Sequence, residues 1–362
     1  MKISPLNQNH LQLNARMVDF AGWSLPVSYS GILEESLAVR KAAGIFDISH
    51  MGRLQISGSG ALSLLQSTTT NRLADLSVGR ARYSLIPNPE GGIKDDIIIY
   101  RDAPDSFFLV LNASNTDKDI AWFHQHADSS VSFDDHTDRT AMVAVQGPAA
   151  VSLLAPHTDM EIADLPRFGW ATGGVLGSPA RICRTGYTGE DGFEVVVKRE
   201  YAAELWSAFI QAGALPCGLG ARDALRIEAG YPLYGHELDE DISPVEARLM
   251  WVVDMSSDRF IGQEAIRRTQ QEGPGRLLVG IWHAERVVPR QGYTLFNDES
   301  VVGSVTSGVY SPVLERGIGM AYVSPAYARS GSPLFFRVRG RNYTVHVVPK
   351  KSLLSHLGTR PV

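Results

Sequence analysis

The sequence predicts an α+β protein whose C-terminal part is all β. Between residues 275 and 349, β-rich runs are separated by turns every 8–12 residues or so, a spacing typical of a small barrel or sandwich. The preceding part mixes amphipathic helices with antiparallel strands, and 34 glycines and 19 prolines punctuate the chain with turns. The change of texture between residues 240 and 275 predicts a domain boundary there.

The length and composition are those of an ordinary globular chain. At ~150 residues per domain, 362 residues predict two or three domains, and a 44% hydrophobic content suffices for a sizeable core. A net charge of −5 argues against a general nucleic-acid-binding protein, which carries a basic excess. With only two cysteines, Cys183 and Cys217, a disulfide framework and a four-cysteine zinc site are excluded, which favours a reducing compartment.

The sequence contains no sign of a membrane span or a targeting segment. No run approaches the ~18 consecutive apolar residues that a membrane span requires. The N-terminal stretch lacks the apolar core of a signal peptide and the arginine- and serine-rich composition of a transit peptide. We therefore expect a cytoplasmic protein without a membrane partner.

The individual elements follow from periodicity and turn signals. Leu33 and Leu37 lie one helical turn apart and predict an amphipathic helix over 31–43 that ends at Gly44. The sequence Asn-Pro-Glu-Gly-Gly at 88–92 lies between two β-rich runs and predicts a hairpin. The other predicted elements are helices at 61–66, 115–127, 201–213 and 221–230 and from Ala149, a strand–turn–strand unit at 82–100, strands at 107–112 and 141–147, and a glycine-rich loop with a strand at 184–198.

Two adjacent carboxylates, Asp95 and Asp96, open the β-rich run that ends at Tyr100. Neighbouring residues of a strand point to opposite faces, so Asp96 shares a face with Ile98 and Tyr100 whereas Asp95 lies on the other face. At least one acid therefore borders an apolar surface, where a carboxylate without a hydrogen bond is costly. Such a carboxylate is suited to orient an amine substrate or to accept its proton. Alternatively, both acids lie in the turn and are solvated.

A glycine-rich turn and a later helix supply further polar candidates. Glu194 lies inside the strand after the turn, where its carboxylate either faces solvent or accepts a hydrogen bond. Arg222 and Arg226 lie four residues apart on one helical face. Arginine recognises carboxylates and planar heterocycles, but ion pairs with nearby acids such as Asp223 explain the two arginines equally well.

Most catalytic motifs are missing from the sequence. There is no phosphate-binding GxxxxGK[ST] loop and no GxSxG elbow, and the pair Gly218 and Gly220 lacks the third glycine of a dinucleotide fingerprint. The histidines and aspartates between 124 and 136 match no standard metal spacing, so we predict no metal. Both cysteines lack an adjacent base and are expected to be inert. The pattern alone predicts a small-molecule enzyme of undefined reaction.

Motifs spread along nearly the whole chain carry a resemblance to a known family. From the N-terminus they are ARMVDFAGWSLPVSY, AGIFDISHMG, GGIKDDIIIY, LVLNASN, VAVQGPAA, RTGYTGEDGFEVVV, GLGARDALRIEAGYPLYGHELDEDISPVEA, FIGQEAI and VTSGVYSP. Together they resemble the glycine cleavage system T-protein family, whose members are folate-dependent aminomethyltransferases.

The resemblance implies a fold of three domains arranged as a cloverleaf around a central folate site. Domain 1 would combine residues 1–54 with 136–244. Domain 2 would be the inserted block 55–135, and domain 3 would be the C-terminal, barrel-like part at 245–362.

The resemblance also implies a reaction. Family members take an aminomethyl group from the lipoyl arm of a carrier, the H-protein, and pass its one-carbon unit to tetrahydrofolate with release of ammonia. The products are 5,10-methylene-tetrahydrofolate and the dihydrolipoyl carrier. Tetrahydrofolate is therefore the implied co-substrate, and H-protein is the implied partner.

By motif position, the resemblance assigns seven residues to the site. Asp96 matches the catalytic acid that contacts the reacting folate nitrogens, where it would orient the amine and stabilise the developing charge. Glu194 matches a pterin-binding acid, and Arg222 matches a folate-contacting arginine. The residues that resemble the lining of the same pocket are Met51, Tyr83, Asn112 and Tyr187.

The C-terminal region departs from the family. T-proteins usually end with a basic-Pro-Phe stretch that reaches the folate and the lipoyl entrance, whereas residues 349–354 here read PKKSLL. We interpret Lys350 and Lys351 either as attracting the glutamate tail of folate or an acidic carrier, or as a solvated surface pair. Two alternative functions stay open: a tetrahydrofolate-dependent demethylase of a small N-, O- or S-methyl compound, and a folate-binding protein without turnover.

Overall fold

The computed structural model describes residues 1–256, 260–351 and 353–357. The helices are α1 Asn7–Gln12, α2 Ile32–Lys41, α3 Ala61–Thr68, α4 Thr116–His126, α5 Ala150–Leu154, α6 Ala202–Gln211, α7 Leu219–Ala229, α8 Gln263–Glu272 and α9 Leu353–His356. The strands are β1 Lys2–Ile3, β2 Arg16–Phe20, β3 Trp23–Ser28, β4 Gly44–Asp47, β5 Gly52–Ser57, β6 Ala81–Pro87, β7 Ile93–Ala103, β8 Ser106–Leu111, β9 Ser132–Asp135, β10 Thr140–Gln146, β11 Trp170–Val175, β12 Ser178–Cys183, β13 Gly192–Lys198, β14 Leu215–Pro216, β15 Leu277–His283, β16 Thr294–Asn297, β17 Ser300–Ser311, β18 Arg316–Val323, β19 Pro333–Val338 and β20 Arg341–Val348. None of the described helices is long and apolar enough to cross a membrane.

The strands form three open sheets and one closed barrel. The open sheets have the orders β1-β3-β2, β6-β7-β8-β5-β9 and β11-β12-β13-β10-β4-β14. The barrel closes in the order β15-β18-β17-β16-β19-β20. The predicted α+β class and the barrel-like C-terminal part are therefore confirmed. Of the two predicted β architectures, the C-terminal part adopts the barrel and not the sandwich.

The hairpin of β6 and β7 carries the two adjacent carboxylates. Its turn spans 88–92 as predicted, and the Asn88 side chain accepts a hydrogen bond from the Gly92 N–H at 2.7 Å. Gly92 passes so close to Glu240 that a Cβ atom would lie 1.7 Å from the Glu240 carbonyl oxygen. Only glycine permits this approach, which brings the turn against the chain segment that follows α7.

Alternation along β7 separates two apolar clusters. Ile97 and Ile99 pack with side chains of α3 and α4 on one face, whereas Ile98 and Tyr100 pack on the other face. Burying one such side chain contributes roughly 1.5–3 kcal/mol. A register slip of one residue would exchange the two faces, so burial on both sides holds the orientation of β7.

The six-stranded sheet combines a strand that precedes the five-stranded sheet in the sequence with strands that follow it. Strand β4 precedes the five-stranded sheet in the sequence and pairs with the later strands β10 and β14.

The limits of the three domains stay predictions. Strand β5 runs across the predicted limit at 54 and 55, and residues 257–259, 352 and 358–362 lie outside the described part of the chain.

Helix α7 connects this sheet to the barrel. The barrel interior is filled by aliphatic and aromatic side chains of all six strands, among them Ile281, Leu295, Val305, Ala321, Phe336 and Val347. Outside the barrel, Arg226 of α7 donates to Ser307 Oγ at 2.7 Å, and Ser311 Oγ donates to Glu228 at 2.5 Å. The barrel is thereby attached to the helix that carries Arg222.

The predicted helices are confirmed as α2 to α7, but several other elements carry no predictable signal. No prediction covers residues 1–30, which form β1, α1, β2 and β3, and none covers β4, β5, β9, β11, β12, β14, α8 or α9. Strand β1 has two residues, β11 contains Gly173 and Gly174, and the one buried apolar residue of α8 is Ile266. Segments this short or weakly patterned are formed by tertiary pairing rather than by local periodicity.

Candidate functional site

Asp95 and Asp96 point to opposite faces of β7, as the alternation predicts. Asp95 is fully buried on the face of Ile97, whereas Asp96 is half-buried on the face of Ile98. Both lie inside the strand rather than in the turn. The alternative in which the two acids are solvated in the turn is therefore wrong.

Two side chains hold the Asp96 carboxylate. Tyr83 Oη donates to Oδ2 at 2.9 Å, and Asn112 Nδ2 donates to Oδ1 at 3.0 Å. Burial and then the nearby Asp95 carboxylate raise the pKa of Asp96 to about 7, although the two donors oppose this shift. The group is therefore oriented by hydrogen bonds and exchanges its proton close to neutral pH.

Asp95 is linked to Asp96 through hydrogen bonds from Asn112 to both carboxylates. The Asn112 side-chain nitrogen donates to Asp95 Oδ1 at 2.8 Å as well as to Asp96, and its backbone N–H donates to Asp95 Oδ2 at 3.2 Å. Asn115 Nδ2 adds a third donor at 2.7 Å from Asp95 Oδ1. One amide thus joins the buried carboxylate to the half-buried one and fixes their relative position.

Tyr83 lies between Asp96 and an exposed aromatic ring. The ring of Trp251 stacks on that of Tyr83 with centroids 5.8 Å apart and planes inclined by 22°, and Trp251 is 71% exposed. Burial and the Asp96 charge raise the pKa of Tyr83 well above its usual value. The phenol therefore stays protonated and acts as a hydrogen-bond donor.

Arg222 lies over the ring of Tyr187 and makes no hydrogen bond with the described residues through its guanidinium. The guanidinium carbon is 4.6 Å from the ring centroid, a cation–π contact. Burial lowers the pKa of Arg222, while Tyr187 and Glu194 oppose the shift. The Tyr187 hydroxyl donates to the carbonyl of Pro232, which holds the ring in place beneath the guanidinium.

Arg226, one turn later on α7, has the opposite environment. Its guanidinium forms ion pairs with Glu237 at 2.7 Å and Asp223 at 2.9 Å and is 1% exposed. The interpretation of the two arginines as ion-pairing residues is therefore correct for Arg226. Arg222 has no such partner within the described residues.

Glu194 is buried at 8% exposure and accepts a hydrogen bond from the Thr185 hydroxyl at 2.5 Å. Of the two predicted possibilities, the carboxylate held by a donor is the one observed. Burial raises the pKa of Glu194, and the hydrogen bond and the Arg222 charge oppose the shift. The Tyr100 hydroxyl hydrogen-bonds to the same Thr185 oxygen at 2.9 Å. Strand β7 and the six-stranded sheet therefore meet at this carboxylate.

Met51 adds an apolar surface at the junction of the two sheets. Met51 and Ile98 both pack against the buried cluster that includes Phe108 and Tyr100. The neighbouring His50 is buried, and burial together with the Arg222 charge lowers its pKa to about 3, so its imidazole is neutral. Arg222 therefore lies near a neutral imidazole.

The sequence-predicted site residues lie in one region, where the five-stranded sheet meets α7 and the six-stranded sheet. The charges of Asp96 and Arg222 both act on the pKa of Tyr187, and Tyr187 in turn contributes to the raised pKa of Tyr83. A carboxylate that titrates near neutrality thus lies in the same cluster as a guanidinium to which no described residue is paired. This combination suits a planar polar ligand that carries an amine.

Other candidate chemistry is absent from the part of the chain that the structure describes. No group of three or more His, Cys, Asp or Glu side chains could hold a metal ion there. Cys183 and Cys217 are free and buried, and burial raises the pKa of Cys183 to about 12 and that of Cys217 well above its usual value. The thiols are therefore protonated and, as predicted, unsuited to nucleophilic chemistry.

Comparisons with known proteins agree with this architecture. The GCVT N-terminal domain matches residues 6–257, and the glycine cleavage T-protein C-terminal barrel domain matches residues 276–352. The chain belongs to the glycine cleavage T-protein family. The resemblance predicted from the motifs is therefore confirmed, and the second match coincides with the observed barrel.

Similar members of the glycine cleavage T-protein family span the same length. The aminomethyltransferase of Chlorobium chlorochromatii is 47% identical over 94% of this chain and 95% of its own. That of Geobacillus kaustophilus is 46% identical over 96% and 98%. The crystal structure of the glycine cleavage system aminomethyltransferase T from Bartonella henselae superposes with a TM-score of 0.90, at 34% identity over 96% of each chain. The predicted transferase class and overall fold are thereby confirmed.

The C-terminal stretch at 349–354, which is expected to depart from the T-protein family, contributes to the site's surroundings. Lys350 is half-buried near Glu237 and Asp96, and burial lowers its pKa to about 8. Lys351 is exposed, whereas Leu353 and Leu354 are buried in the apolar cluster that includes Leu85 and packs against Tyr83. Ser352 lies outside the described residues. Of the two lysines, Lys351 is solvated as a surface residue would be, whereas Lys350 is not fully solvated.

The sequence assigns no role in the site to four further residues. Trp251 stacks on Tyr83, and Thr185 donates to Glu194. Asn115 donates to Asp95, and Tyr100 hydrogen-bonds to Thr185. Asn115 is the last residue of the LNASN motif and lies immediately before α4. Trp251 and Thr185 lie far from Tyr83 and Tyr100 in sequence, and periodicity cannot reveal such contacts.

Proposed function

We propose that this chain is the tetrahydrofolate-dependent aminomethyltransferase of a glycine cleavage system. It transfers the one-carbon unit of an aminomethyl group from the lipoyl arm of H-protein to tetrahydrofolate. Ammonia is released, and 5,10-methylene-tetrahydrofolate and the dihydrolipoyl carrier are left. The observation that carries the proposal is the oriented Asp96 carboxylate in one cluster with Arg222, which no described residue pairs with, in a chain of the T-protein family.

The residues present fit the folate. Arg222 offers donors that no described residue occupies, and Glu194 offers acceptor positions beyond the hydrogen bond from Thr185. A carboxylate suits the paired N–H donors of a pterin, and Met51 and the Tyr187 ring supply apolar surface beside it. These groups would hold the folate by a few convergent polar contacts on an apolar lining.

Asp96 would act on the reacting amine. Tetrahydrofolate supplies the amine nitrogens that accept the one-carbon unit. The Asp96 carboxylate, fixed by Tyr83 and Asn112, would orient the amine and stabilise the positive charge that develops there. Because the pKa of Asp96 is about 7, the same oxygen atoms can also hold a proton during the reaction.

The partner and the location follow from the same proposal. H-protein would deliver the aminomethyl group to the face on which Asp96 and Tyr83 are half-buried. A cytoplasmic location, without nucleic-acid or membrane partners, is the location predicted from the sequence and remains part of the proposal.

One assay tests the proposal. Purified protein is mixed with tetrahydrofolate and aminomethylated lipoyl H-protein, and ammonia and 5,10-methylene-tetrahydrofolate are followed together. The variant Asp117→Asn, at an exposed position, serves as a control for the effects of mutagenesis and purification. We expect stoichiometric release of both products. Folate binding by calorimetry without either product would contradict the lipoyl donor and favour a methylated small molecule instead. Absence of folate binding would contradict the site as well.

A further inference from the structure

A third carboxyl lies behind Asp95. Asp119 belongs to α4, one turn after Asn115, and its side chain is completely buried. Neither Asp119 oxygen accepts a hydrogen bond from an N–H or O–H group of the described residues. Burying an ionised carboxylate without donors is strongly unfavourable, and the group normally takes up a proton instead.

Hydrogen-bond donors divide unequally between Asp119 and its neighbour Asp95. Asp119 interacts with Asp95 through a side-chain hydrogen bond and through the Asp95 charge. Asp95 accepts three N–H groups, two from Asn112 and one from Asn115, whereas Asp119 accepts none within the described residues. Two carboxyls in contact cannot both be ionised. Since N–H donors stabilise the ionised form, the proton belongs on Asp119.

The other charges around Asp119 do not reverse this assignment. Lys118 on the same helix and Lys94 on β7 favour the ionised form of Asp119, but both lysines pair with Glu240, at 3.1 and 3.4 Å. Burial and then the Asp95 charge raise the pKa of Asp119 well above its usual value despite the lysines.

We propose that Asp119 is a positioning residue whose protonated carboxyl donates a hydrogen bond to Asp95 and thereby fixes the amide that holds Asp96. Asn112 presents its side-chain nitrogen to both Asp95 and Asp96, and this orientation requires Asp95 to remain an acceptor. The shared proton also leaves a single negative charge, rather than two, behind Asp96. The effect on turnover rests on the proposed function, whereas the protonation state does not.

The protonation state can be observed directly. The full-length protein is labelled with carbon-13 at the aspartate side-chain carboxyl and examined by NMR at about pH 8.5, well above the pKa of Asp96. We expect one aspartate signal of a protonated carboxyl. It should disappear in Asp119→Asn and persist in Asp117→Asn, an exposed position on the same helix. A wild-type spectrum without this signal, or its survival in Asp119→Asn, would overturn the proposal.

The positioning role is tested by turnover of two matched variants. The amide of Asp119→Asn still donates to Asp95, so we expect turnover within about threefold of wild type and an unchanged pH profile. Asp119→Leu removes the donor, so turnover should fall about tenfold and the acidic limb should move to higher pH, because the Asp95 charge is no longer shared with a proton. A wild-type rate and profile in Asp119→Leu would refute the positioning role.

Failure of the proposed function is distinguishable from failure of this inference. If wild-type protein has no turnover with aminomethylated H-protein, the donor assignment is wrong. The carbon-13 spectra of wild type, Asp119→Asn and Asp117→Asn then still decide whether Asp119 holds the proton.

Discussion

The two sides of the site satisfy their polar groups in different ways. On the carboxyl side, comprising Tyr83, Asp95, Asp96 and Asn112, donors and acceptors are matched within the protein. On the arginine side, comprising Tyr187, Glu194 and Arg222, the guanidinium lies over a ring and makes no hydrogen bond with the described residues.

This difference separates two tasks. Groups that are already oriented by the protein need no rearrangement when charge develops, which is the condition for electrostatic catalysis. A half-buried guanidinium without acceptors is unfavourable in the free protein and gains hydrogen bonds when a polar ligand arrives. We therefore expect the carboxyl side to govern the rate and the arginine side to govern affinity.

The largest expected effect is on the free energy of unfolding, when variants of the two arginines of α7 are compared. Arg226→Met leaves the buried carboxylate of Glu237 without its ion-pair partner and should lower the free energy of unfolding by about 3–5 kcal/mol. Arg222→Met removes a guanidinium that makes no hydrogen bond within the described part of the chain, and it should leave the free energy of unfolding unchanged or raise it. Urea unfolding of both variants measures the contrast. Equal losses would show that Arg222 also has a structural partner.

Asp96→Asn should lower turnover by about 10²–10³-fold, because the amide cannot supply the charge that stabilises the developing cation. Folate affinity should stay within a few-fold, since Tyr83 and Asn112 remain in place. Steady-state turnover with aminomethylated H-protein and calorimetry with folate provide the two values. Turnover like that of wild type would refute the catalytic assignment of Asp96.

Arg222→Met and Glu194→Gln should weaken folate binding by roughly 1–3 kcal/mol each, the loss of a charged hydrogen bond. Calorimetric titration with tetrahydrofolate gives the affinities, and Asp223→Asn, a half-buried change next to Arg222, is the control. Unchanged affinity in both variants would disprove the proposed binding side.

The smallest effect is the pH dependence. Asp96 has a raised pKa of about 7, so its carboxylate is present above that pH and is lost as the pH falls through it. At pH 6 about one tenth remains ionised, and turnover should be about tenfold below its plateau. A pH–rate profile of wild type and Asp96→Asn checks this. An acidic limb that persists in the variant would belong to another group.

The sequence predicts those parts of the site that depend on local pattern. The alternation of β7 places Asp95 and Asp96 on opposite faces, and the turn at 88–92 fixes the hairpin. Neither pattern indicates that Asn112 bridges the two acids, because this contact joins β7 to the residue that follows β8.

Charge pairing is harder to predict than position. Helical spacing places Arg222 and Arg226 on one face, but it cannot tell which of them is paired. Glu237 reaches Arg226 from the segment after α7, and Ser307 reaches it from the barrel. These partners come from tertiary packing, which also explains why the position of Lys350 near Asp96 is not visible in the sequence.

The division of labour is tested most directly by single-turnover rates measured as a function of tetrahydrofolate concentration, with saturating aminomethylated H-protein. Wild type, Asp96→Asn and Arg222→Met are compared in the same buffer. We expect Asp96→Asn to lower the limiting rate at an unchanged half-saturating concentration. Arg222→Met should raise the half-saturating concentration at a nearly unchanged limiting rate. If both variants change the same parameter, the separation between the carboxyl side and the arginine side is contradicted.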